Sequence, residues 1–320
     1  MRPPWVGPNE HSIVAENTAL DHRNPLVFVM RIDWTRGAFY GIASAALFGL
    51  STPLSKRLLP DIDPVLLAGL LYLGAGIGLT IVSVIRGRPW PRFDRDDRWR
   101  LVAIALVGGF AGPSLLMLGL QRVSGVVGSL LLNLEAVFTM ALAVVFFGDR
   151  LSVSEWVGAL SIVVGAAVVS YRPGEITAAW PGALAITGAC LCWGLDNNLL
   201  QRVSQYDPVA VVQVKALSAG IANIVLALAI GQRMSGVAVV PAAVSLGFFC
   251  YGLSIVFDVY ALRHLGAARE AAFFATAPFL GAVAAIPILG DRLGRTDVVG
   301  AVLMAAGIAV FRLRSAQPPG

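Results

Sequence analysis

The sequence predicts an all-α integral membrane protein of ten transmembrane helices, arranged as two inverted five-helix repeats. Three observations support this fold class. Charged residues make up 13% of the chain and hydrophobic residues 57%, whereas soluble domains carry roughly 25% charged residues. The apolar residues form runs of about 20 with almost no charge, which is enough to cross a bilayer core roughly 30 Å thick. The two halves of the chain also resemble each other in sequence.

Turn signals between the apolar blocks place the predicted helices. The breaks are marked by Pro60, Asp63-Pro64, Arg172-Pro173-Gly174 and Asp207-Pro208, where a helix ends or a new one begins on proline. The predicted helices cover residues 37–58, 64–85, 100–120, 124–147, 154–171, 179–201, 208–231, 240–262, 267–289 and 297–313.

The chain divides into two repeats with short extensions. The predicted parts are an N-terminal arm (1–36), repeat 1 with helices 1 to 5 (37–172), repeat 2 with helices 6 to 10 (178–313) and a C-terminal tail (314–320). The arm contains prolines and acidic residues but no early apolar core, which is typical of disorder rather than of a signal peptide. We hypothesise that translation starts at Met30, because a short basic segment there leads directly into helix 1.

The internal repeat appears at an offset of about 142 to 145 residues. FFGDRLSVSEWVGALSIVVGAAVV at 146–169 aligns without gaps with ILGDRLGRTDVVGAVLMAAGIAVF at 288–311, and LFGLSTPLSKR at 47–57 aligns with CWGLDNNLLQR at 192–202. Because each repeat holds an odd number of helices, the second repeat must enter the membrane from the opposite side. Inverted repeats are typical of transporters, whose binding site lies at the repeat interface near the middle of the bilayer.

The distribution of Lys and Arg predicts the orientation. With the N-terminus inside, about sixteen basic residues lie on the cytoplasmic side, about seven lie outside, and Lys215 stays within the membrane. Both termini are therefore expected in the cytoplasm. The net charge of +5 is spread between apolar blocks and forms no basic face with aromatic residues, so nucleic acid is not an expected partner.

The sequence does not support enzymatic chemistry. It has no Gly-rich phosphate loop with lysine and no Ser-His-Asp set. Cys190, Cys192 and Cys250 all lie in apolar segments, and the first two point to different faces of one helix. We expect no catalytic residues, no cofactor and no metal site.

Three segments carry a family resemblance. They are NLEAVFTMALAVVFFGDRLS at 133–152, ACLCWGLDNNLLQRVS at 189–204 and ALRHLGAAREAAFFATAPFLGAVAAIPILGDRL at 261–293. They resemble the EamA-type members of the drug/metabolite transporter superfamily, over roughly residues 37–313. The resemblance implies a plasma (inner) membrane carrier that moves small metabolites, often amino acids or related compounds, outward by alternating access. It also implies that helices 1, 3, 4, 6, 8 and 9 line a central cavity.

This sequence departs from the family pattern in one respect. Family members often have a Leu-Glu-Pro-like turn in both the fourth and the ninth helix. Here the fourth helix has Leu134-Glu135-Ala136, which keeps the carboxylate and loses the proline. The ninth has Thr276-Ala277-Pro278, which keeps the proline and loses the carboxylate. A symmetric mechanism with two carboxylates is therefore not expected.

Glu135 is the main candidate site residue because it lies near the middle of helix 4. A charge within a membrane helix costs about 2.5–3.5 kcal/mol, so it usually faces a cavity or a partner. Thr139 lies one turn further on the same face, and Asn133 precedes the carboxylate. We expect Glu135 to bind substrate or carry a proton; the alternative is a carboxyl group that is permanently hydrogen-bonded for helix packing.

Helices 6 and 7 hold a second polar group. Asp196, Asn197 and Asn198 lie late in helix 6, and Lys215 lies at the same depth in helix 7, which predicts an Asp196–Lys215 ion pair. The pair is expected to stabilise the hairpin, unless Lys215 extends to the cytoplasmic interface instead. The internal Trp193 is a candidate for lining the cavity.

Two further sets complete the candidate pathway. Ser51-Thr52-Pro53 in helix 1 aligns with the polar group of helix 6, and its proline predicts a kink that exposes carbonyl groups. At the turn between helices 8 and 9, Asp258 is placed to meet Arg269, with Glu270 near the cytoplasmic mouth. This set is either an inner gate or a structural pair.

These features together predict a secondary-active exporter of small polar or amphipathic, amino-acid-like metabolites, with proton exchange as one mode of coupling. The alternatives are a facilitator or exchanger without proton coupling and a non-transporting membrane receptor. The expected partners are a small-molecule substrate and the lipid bilayer. Substrate identity, transport direction, coupling stoichiometry and the choice between monomer and homodimer stay open at this stage.

Overall fold

The computed structural model describes residues 34–148, 151–171, 176–265 and 267–315. These residues contain helices joined by short connections and no β-strand; one isolated antiparallel bridge joins Ile62 to Met234. The N-terminal arm with Met30 lies outside the described residues.

The helices are numbered in chain order, and the letters a and b mark the two parts of an interrupted helix. They are α1 (Trp34–Leu58), α2 (Pro64–Ile85), α3a (Arg98–Ile104), α3b (Gly112–Leu120), α4a (Gly125–Leu131), α4b (Leu134–Phe147), α5 (Val153–Ser170), α6 (Ile176–Gln201), α7 (Pro208–Ala229), α8a (Val240–Leu246), α8b (Ser254–Leu265), α9a (Ala267–Phe274), α9b (Ala277–Leu289) and α10 (Arg295–Ser315). The observed ends lie within three residues of the predicted ones.

Eight helical segments among the described residues are long and apolar enough to cross a membrane. Large apolar side chains cover their outer faces; Ile85 and Val153, for example, are each 79% exposed. Exposed apolar surface on this scale needs a hydrocarbon surrounding rather than water. The prediction of a multi-pass, all-α membrane protein is confirmed, and the count of ten crossings stays a prediction.

The structure interrupts four helices that the sequence predicts as continuous. A π-helical stretch separates α3a from α3b at Ala105–Ala111, and another separates α8a from α8b at Gly247–Leu253. Residues 132–133 and 275–276 form turns inside the fourth and ninth helices. The two interruptions of repeat 2 lie 142 and 143 residues after those of repeat 1 (247 − 105 and 275 − 132), so both repeats carry the same irregular elements.

The two turns have different local causes. In the ninth helix, Pro278 occupies the first turn of α9b, where its missing N–H is tolerated. The fourth helix has no proline there. Instead the amide of Asn133 donates a hydrogen bond to the carbonyl of Leu130 at 2.8 Å and competes with the helical ladder.

Contacts between connections show that the repeats are inverted. The carboxylate of Asp63, between α1 and α2, accepts a hydrogen bond from the backbone N–H of Arg233, between α7 and α8, at 2.7 Å. At the other end of α2, Arg88 pairs with Asp207, between α6 and α7, at 2.9 Å. Repeats of equal orientation would bring the α1–α2 connection to the same side as its counterpart, the α6–α7 connection. Here these two connections lie at opposite ends of α2.

Small residues let symmetry-related helices approach closely. Helix α5 packs on α10, where a Cβ added to Gly300 would lie 2.8 Å from the carbonyl oxygen of Gly165. The hydroxyl of Ser161 donates to the carbonyl of Leu303 across the same contact at 2.7 Å. Close backbone contact and interhelical hydrogen bonds are the main sources of helix association in lipid.

Helices from both repeats also contact each other around the candidate site. Helix α1 packs against α8b and α9b, and its counterpart α6 packs against α3b and α4b. The α6–α4b contact holds the residues described next.

Candidate functional site

The turn at 132–133 places Glu135 in the first turn of α4b. The free N–H groups at the start of a helix carry a partial positive charge that favours a nearby carboxylate. The turn therefore helps to stabilise the carboxylate of Glu135 within the membrane, because an unbroken helix would offer no free N–H groups at this position. The side chain of Glu135 is half-buried.

Glu135, Thr139 and Asn197 form a hydrogen-bonded cluster, called here the polar triad. The amide of Asn197 on α6 donates to Glu135 Oε1 at 2.9 Å and to Thr139 Oγ1 at 3.2 Å. Glu135 and Thr139 lie one turn apart on α4b, so one amide reaches both. All three side chains are half-buried rather than enclosed. The triad therefore keeps part of its polar surface exposed.

Within the described part of the chain, no basic side chain pairs with Glu135. Its bonded partner is the neutral amide of Asn197, so the carboxyl group keeps free acceptor positions. Such a group can bind an ammonium group or a hydroxyl of a substrate, or take up a proton.

Asn198 has a structural position beside the triad. Its amide donates to the carbonyl oxygens of Thr139 at 2.9 Å and of Gly194 at 2.8 Å. The side chain is 3% exposed and joins α6 to α4b. Gly194 brings these helices together, since a Cβ there would lie 2.8 Å from the backbone N of Thr139.

The Asp196–Lys215 ion pair is present. Lys215 Nζ on α7 donates to Asp196 Oδ2 on α6, and the two side chains are only 10% and 3% exposed. Lys215 therefore does not extend to the interface. The other oxygen, Asp196 Oδ1, has no hydrogen-bond partner among the described residues. It lies against Gly108 of the π-helical stretch, where an added Cβ would be 2.3 Å from it.

Trp193 is buried and bonded rather than lining open space. It is 7% exposed, and its indole N–H donates to the carbonyl of Gly108 at 2.9 Å. Tyr72 on α2 donates to the same carbonyl at 3.1 Å. A π-helical turn frees carbonyl groups from the regular ladder, and these two side chains satisfy one of them.

Asn133 and the helix 1 residues also lie apart from the triad's contacts. Asn133 is 4% exposed, and its amide is directed to the carbonyl of Leu130 and the sulfur of Met304. Ser51 and Thr52 are each 1% exposed, and the hydroxyl of Thr52 has no partner among the described residues. Pro53 lies inside helix α1, which is assigned continuously from Trp34 to Leu58, and the kink expected there stays a prediction.

At the turn between the eighth and ninth helices, Asp258 on α8b and Glu270 on α9a lie near each other. A pair between Asp258 and Arg269 stays a prediction.

Sequence reasoning missed residues that surround the π-helical stretch of the third helix. The amide oxygen of Asn223 on α7, a fully buried residue, accepts from Ser114 at 2.7 Å, and its nitrogen donates to Gly109 at 3.4 Å. An Asn in the middle of an apolar helix and the Gly108-Gly109 pair were the available signals. They did not reveal which helices would meet.

The fold and the site together define a class of protein. Inverted repeats, interrupted helices in both halves and an intramembrane carboxyl group at a helix break are typical of membrane transporters. The profile of the EamA-like transporter family matches residues 35–171 and 180–313. The chain belongs to this family, and it is a membrane transporter rather than an enzyme.

Curated relatives agree with this assignment. An uncharacterized transporter of Methanothermobacter thermautotrophicus is 25% identical over 289 residues, covering 84% of each chain. A protein of Streptantibioticus cattleyicolor named "Probable terminal-alkyne amino-acid exporter" is 27% identical over 256 residues, covering 76% of this chain and 86% of the relative. An uncharacterized transporter of Bacillus subtilis is 23% identical over 301 residues, covering 90% and 93%.

A solved crystal structure shares the fold. It superposes with a TM-score of 0.65 at 18% sequence identity and covers 87% of this chain and 97% of the other.

Proposed function

We propose that this transporter exports small amino-acid-like metabolites by alternating access, with the polar triad as its substrate and proton site. The observation that carries the proposal is the half-buried Glu135, bonded to Asn197 at 2.9 Å and without a basic partner among the described residues. A carboxylate in this state can exchange a substrate ammonium group for a proton without first breaking an ion pair.

The name of one relative supports the substrate class. The Streptantibioticus cattleyicolor protein is named as an amino-acid exporter. An amino acid offers an ammonium group to Glu135 and a carboxylate that needs a donor. The amide of Asn197 and the hydroxyl of Thr139 can supply that donor once they leave their present bonds.

Contacts at both ends of the bundle support alternating access. Lys56 on α1 donates to the carbonyl of Leu120 at the end of α3b at 2.6 Å. At the opposite end, Arg202 donates to the carbonyl of Phe146 on α4b at 2.9 Å. Each bond joins neighbouring segments at one membrane face, so each can break while the other persists.

The predicted gate belongs to the same proposal. Its residues flank the turn between the eighth and ninth helices: Asp258 lies on α8b, and Arg269 and Glu270 lie on α9a. This turn is expected on the cytoplasmic side of the membrane, the same side as the N-terminus. We propose that Asp258, Arg269 and Glu270 form an inner gate that closes this face.

Transport in proteoliposomes tests the proposal. Purified protein would be reconstituted, and uptake of radiolabelled amino acids would be measured with and without an opposing pH gradient. We expect wild type to accumulate a substrate against its gradient only when the pH gradient is present. Glu135→Gln should lose this accumulation. The control is Glu155→Gln, which removes a carboxylate at the start of α5 while a Gln can keep the capping bond.

Other results would exclude the proposal. Accumulation by Glu135→Gln at the wild-type level would remove Glu135 from the coupling. Exchange that ignores the pH gradient in wild type would favour the uncoupled facilitator. Absence of flux for every amino acid and related metabolite tested would favour a different substrate class or the receptor alternative.

A further inference from the structure

A second site lies at the membrane boundary, away from the polar triad. A shallow cavity with about 20 Å³ of enclosed space, otherwise open to solvent, is lined by the end of α2, the start of α7 and the end of α8b. Its polar lining comprises Ser83, Arg86, Arg88, Tyr260 and Arg263. None of the described residues that line it is acidic. The cavity therefore combines three guanidinium groups with a concave shape.

Two arginines of this cavity have partners of different charge. Arg88 pairs with Asp207 at 2.9 Å, which offsets its charge. Arg86 donates to the hydroxyl of Tyr260 at 2.6 Å, and this neutral partner fixes the guanidinium without cancelling its charge. The positive charge that Arg86 keeps at the cavity favours an anion. Guanidinium groups in particular match the geometry of phosphate.

The cavity changes from basic to apolar with depth. Arg86 directly follows the last residue of α2, and Arg263 is two residues from the end of α8b. Val82 and Val259 also line the cavity, each one helical turn nearer to the membrane interior than its arginine. The exposed Ile85 at 79% continues this apolar surface on α2. A free phosphate ion would use only the basic rim, whereas a phospholipid would also use the apolar floor.

We propose that this cavity binds the headgroup of an anionic phospholipid, with Arg86 and Arg263 at the phosphate and an acyl chain along the valines. Basic pockets between helices at a membrane face have the composition that suits such lipids. The site joins α2, α7 and α8b, so a bound lipid links helices of both repeats. This inference does not depend on the transported substrate.

Native mass spectrometry of the delipidated protein tests the inference. The protein would be titrated with short-chain phosphatidylglycerol and, separately, with phosphatidylcholine. We expect Arg86→Gln with Arg263→Gln to weaken phosphatidylglycerol binding about thirtyfold, since each basic residue near a lipid surface contributes roughly 1 kcal/mol and tenfold corresponds to about 1.4 kcal/mol. Phosphatidylcholine binding should not change.

The matched control removes two arginines that lie outside the cavity, in the connection between α2 and α3a. Arg92→Gln with Arg95→Gln lowers the charge by the same amount and should change phosphatidylglycerol affinity less than about twofold. An equal loss in both double variants would overturn the site, because it would reveal general charge attraction. Unchanged phosphatidylcholine binding by Arg86→Gln with Arg263→Gln guards against a loss caused by misfolding.

Competition distinguishes the source of the phosphate. Inorganic phosphate and glycerol phosphate, at the concentration of the lipid, should fail to displace bound phosphatidylglycerol. Displacement by either one would identify a site for a free anion and overturn the lipid assignment.

Discussion

Replacing Lys215 with methionine should destabilise the protein by leaving Asp196 buried without its cation. The carboxylate is 3% exposed, and one of its oxygens already has no partner among the described residues. Losing one member of a buried, hydrogen-bonded ion pair typically costs about 3–5 kcal/mol. We expect a loss of this size in the free energy of unfolding for Lys215→Met and a similar loss for Asp196→Asn.

The double variant Asp196→Asn with Lys215→Met makes this prediction specific. It removes both charges, so its loss should be at least about 2 kcal/mol smaller than the sum of the single losses. The measurement is equilibrium unfolding in mixed micelles, followed by tryptophan fluorescence. The control is the pair Arg88 and Asp207, which is 40% and 38% exposed and should contribute only about 1 kcal/mol or less. Additive losses for Asp196 and Lys215, or losses no larger than those of the control pair, would refute the reasoning.

Two further predictions concern helix packing and helix ends. Gly108→Ala should cost about 1–3 kcal/mol in unfolding free energy, because the new Cβ would lie 2.1 Å from the Cγ of Asp196. Gly188→Ala, whose nearest contact would be 3.3 Å, should cost much less, and equal costs would contradict the close contact. Ser152→Ala should cost about 1 kcal/mol in the same assay, because it removes the capping box with Glu155 at the start of α5. A change below about 0.3 kcal/mol would show that this cap does not stabilise the helix.

Composition and periodicity predicted the membrane class, the helix ends and the repeat, because these depend on short stretches of sequence. The interruptions were harder to predict. Gly108 lies within the π-helical stretch and Asn133 within the turn, and both make hydrogen bonds there with residues that spacing alone does not identify, Trp193 and Leu130. Neither residue breaks a helix by its own propensity in the way that proline does.

Depth arithmetic paired Asp196 with Lys215 because both lie at known distances from one tight turn. The same arithmetic gives depth but not the neighbouring residues that a side chain meets. Trp193 and Asn197, four residues apart on α6, therefore looked equivalent as candidate cavity residues. In the structure Trp193 is enclosed against Gly108, whereas Asn197 stays half-buried beside Glu135.

Ligand-dependent stability tests the central claim that the polar triad binds substrate. The ligand would be a compound that the wild type transports in proteoliposomes, added to purified wild type and Glu135→Gln during thermal unfolding. At about 100 times its dissociation constant, a ligand that binds only the folded protein adds roughly 2.7 kcal/mol. The account predicts this stabilisation for wild type and its loss for Glu135→Gln. Equal stabilisation of both proteins would contradict a substrate site at Glu135.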